Sequence, residues 1–171
     1  MRKIASLLGV VAAITAMPAV SSAQTFAPLN TTFDVSGTAN LSHTVPLACT
    51  INLGDIKVTT RSYPSNTATV SGVARPFTPL IPCGAVNVPS YTPWLVELVS
   101  GSGGTYVAKI FVSARTITGS LCEGWINGTF TNGPPANFTG SGTIPVVSGP
   151  ASPPNCTVSV NLNIPGLYAT P

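Results

Sequence analysis

Two stretches of the chain, Val45 to Leu53 (VPLACTINL) and Pro154 to Leu162 (PNCTVSVNL), repeat one pattern. In the first, the apolar side chains fall on Val45, Leu47, Cys49, Ile51 and Leu53; in the second, on Cys156, Val158, Val160 and Leu162, with Ile164 continuing the series. Side chains of an extended chain point alternately to two faces, so this period of two describes a β-strand with one buried face. Each stretch also sets a cysteine, followed by threonine, on its apolar side. Segments of this kind direct the chain toward a β domain linked by disulfides.

The remaining sequence is built the same way. Thr31 to Leu41 puts Phe33, Val35, Ala39 and Leu41 on one face, and Gly37 in its middle marks a bulge or a close neighbour. Alternation resumes through Ile56 and Val58 and again from Thr67 to Ala74. Trp94 to Val99 and Thr105 to Arg115 read as a hairpin joined by Ser100 to Gly104, with Tyr106, Ala108, Ile110, Val112 and Ala114 on one side. Asn127-Gly128 and Asn132-Gly133 are turn signals, and Phe138 to Val147 is a weak strand because Pro145 interrupts it. Arg75 to Pro93 carries five prolines and reads as loop and edge; Gln24 to Leu29 reads as a lead-in. The fold expected is all-β, a Greek-key-like β-sandwich with a small open barrel as the alternative, stapled by two disulfides.

Ahead of these strands, Arg2 and Lys3 precede an apolar run from Ile4 to Ala16, and Ser21-Ser22-Ala23 ends it with small residues. Residues 1–23 are therefore expected to be a cleaved signal peptide, too short in its apolar run for the roughly 20 residues that span a bilayer. Residues 24–171 form the expected single secreted domain, with a formal charge of +1 from five basic and four acidic residues. That balance offers no basic face for phosphates, so a nucleic-acid partner is not expected. Thr, Ser, Asn and Gly take the place of charge, giving a surface with little electrostatic repulsion between molecules.

Cys49, Cys83, Cys122 and Cys156 are separated by 34, 39 and 34 residues, with no Cys-x-x-Cys pair. That spacing speaks for two disulfides in an exported domain and against zinc; no metal or cofactor is expected. Three pairings remain open to the sequence. The one adopted as an expectation joins Cys49 to Cys156, on their matching strands, and Cys83 to Cys122.

Catalytic side chains are scarce. His43 is the sole histidine and stands beside Ser42 and Thr44, without the positioned partner that base catalysis needs, so it reads as a surface residue. The acids lie far apart, and no Gly-x-Ser-x-Gly, His-Glu-x-x-His or phosphate-binding glycine loop occurs. No catalytic residue is assigned. Trp94, Trp125, Tyr91, Tyr106 and Tyr168 are candidates for an apolar-ligand or sugar-stacking surface, although filling the core is the commoner use of such side chains. Asn-x-Ser/Thr sequons begin at Asn30, Asn40, Asn127, Asn137 and Asn155, and matter only in a host that glycosylates them.

Several short motifs, taken in order, carry a family resemblance: Phe26-x-Pro28, SGTANL, LACT at Cys49, Cys83 followed by Pro93-Trp94, SLC at Cys122, and PPNCTVSV. Together they resemble the small secreted proteobacterial proteins called protein activator of alkane oxidation (PraB type). The resemblance implies an exported, non-enzymatic protein that assists growth on hydrocarbons and associates with the cell exterior or biofilm matrix. Expected partners are then hydrocarbon, cell-surface or matrix components, or other copies of the chain. A fimbrial subunit is the alternative, with Thr31 to Leu41 as a strand donated to a neighbour.

Overall fold

The computed structural model describes residues 24–43, 46–51, 56–73, 75–76, 87–88, 94–116 and 119–171, with side chains left aside at 46–51, 56, 73, 75–76 and 87–88. In chain order the strands are β1 (Thr25–Ala27), β2 (Thr32–Asp34), β3 (Ser36–Ser42), β4 (Pro46–Ile51), β5 (Ile56–Thr60), β6 (Thr67–Val73) and β7 (Arg75–Pro76). There follow β8 (Asn87–Val88), β9 (Trp94–Ser102), β10 (Thr105–Arg115), β11 (Leu121–Thr131), β12 (Ala136–Ser148), β13 (Asn155–Ile164) and β14 (Tyr168–Thr170). The described residues contain no helix.

Alternation settles which way each strand faces. On β10 the positions Tyr106, Ala108, Ile110, Val112 and Ala114 are all buried, as their spacing predicts, and β13 buries Cys156, Val158, Val160, Leu162 and Ile164 in the same way. Gly103 and Gly104, both at positive φ (64° and 87°), make a two-residue turn that lets β9 run to Ser102, beyond the Val99 expected, while β10 spans Thr105–Arg115 as its sequence suggests. Two successive positive φ values match the right-handed twist of a hairpin.

Closure of the sheet follows from one continuous run. β2 and β3 form a single extended segment broken only at Val35, and this segment pairs with β5 and β4 on one side and β13 on the other. From there β5 pairs β6, β6 pairs β9, and β9 through β13 follow as antiparallel neighbours in chain order. Since β13 returns to β3, the sheet curls round to where it started, and the architecture is an up-and-down barrel. The Greek-key sandwich is corrected and the barrel alternative holds, because from β5 to β13 each pairing joins strands consecutive along the chain, save that β7 and β8 intervene between β6 and β9.

Buried side chains from every long strand among the described residues meet in the interior, as the inward-facing positions of a small barrel do. Trp94 is buried and donates its indole N–H to the Ser113 carbonyl at 2.8 Å. At the opposite end Phe26 stacks edge-on against Phe130 (5.3 Å between centroids) beneath a lid made by β1 pairing with β14. The lead-in expected at Gln24 to Leu29 is thus a working strand, three residues being too few to show a period. Tyr106 donates its hydroxyl to the Ala169 carbonyl at 3.0 Å, and Asn132 holds the same residue through two further bonds of 2.7 Å, so the lid is fixed to the wall.

Two local readings change. Asn127-Gly128 lies inside β11 and not in a turn; a Cβ on Gly128 would meet the Thr139 carbonyl oxygen at 2.3 Å and the Phe138 ring at 2.8 Å, so glycine there lets β12 approach closely. β12, expected to be weak, is the longest strand at 13 residues. It keeps Pro145 because the β11–β12 ladder is interrupted between Cys122 opposite Val146 and Asn127 opposite Ser141, where a missing N–H costs no rung on that side.

The cysteine pairing is also corrected. Cys122 on β11 bonds to Cys156 on β13, with Cα atoms 6.2 Å apart, across the stretch where β12 leaves the β11 ladder. Cys49 with Cys156 and Cys83 with Cys122 are therefore not the pairs. Cys49 stands opposite Ala39, and Ala39 stands opposite Val160, so β3 separates Cys49 from the β13 strand. Matching alternation told the face of each cysteine but not its neighbour. Among the described residues there is this one disulfide, where two were expected; the Cys49 side chain and Cys83 lie outside them.

Candidate functional surface

An apolar ligand needs either a cavity or an exposed apolar surface. Among the described residues, one small pocket lined by Ala39, Asn40, Leu41, Trp94, Val112, Ala114 and Val158 has a volume of about 10 Å³, enough for roughly one water molecule. An exposed apolar surface is the second possibility.

The outward positions of β9, β10 and β11 supply it. Leu95 lies opposite Phe111, and Phe111 opposite Trp125, so the three make one row across three strands. Leu95 and Phe111 are half-buried, whereas Trp125 stays 43% exposed, which is unusual for a side chain that contributes so much area when covered. The Phe111 and Trp125 rings meet edge to face, 5.5 Å between centroids and 66° between planes. Lys109 sets its ammonium 4.7 Å from the centre of the Trp125 ring and 3.1 Å from the Glu97 carboxylate. A cation over a ring face and a carboxylate beside it hold the indole in one orientation. Val99 and Val107 add exposed apolar surface on β9 and β10.

The candidate aromatics divide between the two sides of the wall. Trp94 and Tyr106 belong to the core, Trp125 and Tyr168 are exposed, and Tyr91 lies outside the described residues. Phe111 was missed as a surface residue, although its position was readable: it falls between Ile110 and Val112, which the alternation places inside.

Other sequence candidates are dispersed. His43 is half-buried at the end of β3, its Nε2 2.6 Å from the Pro153 carbonyl, and it ties β3 to the loop before β13. Asp34 pairs with Lys57, and Glu123 accepts a hydrogen bond from the Ser113 hydroxyl at 2.8 Å. No group of histidine, cysteine or acidic residues suited to a metal ion occurs among the described residues. Among them, too, no helix is long and apolar enough to cross a membrane. The segment considered as a donated strand is paired on both sides within its own chain, β3 lying between β13 and β4.

The described strands make an all-β barrel that carries an exposed aromatic row on its outer face. The chain belongs to the alkane oxidation protein activator PraA/PraB-like family, whose profile matches residues 1–170. No match was found among curated proteins or among solved structures.

Proposed function

We propose that the protein is an exported, non-enzymatic accessory to alkane use that works at a boundary, meeting hydrocarbon or hydrocarbon-coated surfaces through the Leu95–Phe111–Trp125 row. The observation that carries this reading is the exposed Trp125, which shares one outward row with Phe111 and Leu95. Support comes from the signal-like first 23 residues, the near-neutral mature charge and the family's name. The barrel carries the row on three paired strands, so the apolar side chains remain outward when the protein adsorbs.

The test is adsorption of the mature protein to hexadecane droplets, alongside growth of a deletion strain on hexadecane and on glucose. Covering about 100 Å² of indole contributes on the order of 2 kcal/mol, so Trp125→Ala is expected to weaken adsorption more than tenfold while circular dichroism stays unchanged. Phe111→Ser should add to the loss. Equal adsorption of wild type and double variant, or equal growth of the deletion strain on both carbon sources, would overturn the reading.

A further inference from the structure

The other side of the barrel has a different chemistry. On β11, β12, β13 and β3 the outward positions form rows across four strands, one of which runs Thr129, Thr139, Asn161, Thr38. The rows on either side are likewise made of Asn, Ser and Thr. No outward position of β12, β13 or β3 carries an ionisable side chain, because the charged pairs stand elsewhere, Asp34 with Lys57 and Glu97 with Lys109. The result is a broad wall of hydroxyls and carboxamides without charge.

These groups are held in place by one another. Asn137 donates to the Asn161 and Asn163 side-chain oxygens at 2.8 and 2.9 Å, and Asn40 donates to the Ser159 hydroxyl at 3.2 Å. With its oxygen engaged, Asn161 keeps its own amide N–H groups free, and Thr38, Thr139 and Thr129 stand exposed around it. Donors and acceptors fixed in rows lose little freedom on binding a partner that presents the same groups.

We infer that this wall is a docking surface for an uncharged polysaccharide. Charge argues for the occupant: a wall without ions offers nothing to an acidic or basic macromolecule, while sugar hydroxyls complement its amides and hydroxyls as both donors and acceptors. Area argues against a second copy of the chain. Four strands about 4.8 Å apart and some seven residues long cover roughly 400 Å², about half of the ~800 Å² per partner in a stable protein interface. A single glycan chain lying along the strands needs no more than that. This inference is independent of the hydrocarbon reading, since the two surfaces face different ways and share only β11.

Native gel electrophoresis of the mature protein through dextran, hydroxyethylcellulose or soluble starch tests it, with alginate as an anionic comparison. The neutral polymers are expected to retard the wild type more than alginate does, and Thr139→Lys with Asn161→Lys to reduce that retardation at least tenfold with an unchanged circular dichroism spectrum. Trp125→Ala is expected to leave retardation intact, which separates this surface from the hydrocarbon row. Absence of retardation in all three neutral polymers overturns the inference, as does equal retardation of the charged variant. Sedimentation showing a dimer that the two lysines dissociate overturns it in favour of a second copy.

Discussion

At the scale of single residues, parity decides role. Trp94 and Trp125 are the same side chain, yet Trp94 is in phase with Val96 and Leu98 and lies inside, while Trp125 is out of phase with Ile126 and Phe130 and lies outside. The sequence holds that difference of phase, although the two tryptophans were read there as one group of candidates; it does not hold the edge-to-face contact with Phe111, which depends on which strands are neighbours. Gly37 shows the same division. Its place in the strand announced a close neighbour, and a Cβ there would stand 2.0 Å from the Asn161 carbonyl oxygen, at a φ of 145°. Backbone cannot yield as a flexible side chain can, so Gly37→Ala is expected to destabilise the fold by about 4 kcal/mol. Gly103 at φ 64° meets nothing within 4 Å, so Gly103→Ala should lose only about 1 kcal/mol. Urea midpoints for the two variants measure the difference, and similar midpoints would contradict the close approach of β3 to β13.

Among the elements, β12 departs furthest from what its sequence suggests. Local propensity marks Pro145 as a break, but β13 pairs with the strand from Ala136 to Pro145 while β11 lets go of it. The disulfide from Cys122 to Cys156 spans that same place, so β11 and β13 are held together where the strand between them offers least. A link closing a loop of 34 residues restricts the unfolded chain by about 4 kcal/mol in the loop-entropy account. Cys122→Ala with Cys156→Ala is therefore expected to lose most of that amount in chemical denaturation, with the far-ultraviolet spectrum preserved at low denaturant. Non-reducing peptide mapping should recover the two cysteines joined. The sequence could not supply this pairing, since alternation reports inside and outside but not distance round a wall.

At the scale of the whole molecule, the all-β class was readable from periodicity, whereas closure was not, because it rests on β13 finding β3 more than a hundred residues away in sequence. Every step of that wall except the last joins segments close in the chain. The lid behaves likewise: Thr25 sits opposite Thr170, so the first described strand lies beside the last. A circular permutant that links residue 170 to residue 25 through a few glycines and opens the Gly103–Gly104 turn is expected to fold with the wild-type spectrum and disulfide. Failure of that permutant, with a soluble linear control, would show that the lid is not simply a junction of neighbouring strands. Such a lid also sets how the molecule can be moored. Whatever precedes Thr25 and whatever follows Thr170 depart from one pole, and both walls run lengthwise away from it. A barrel tethered there would stand upright, its aromatic row facing one neighbour and its uncharged rows another, so a layer of such molecules could bridge an oily phase and a hydrated one sideways.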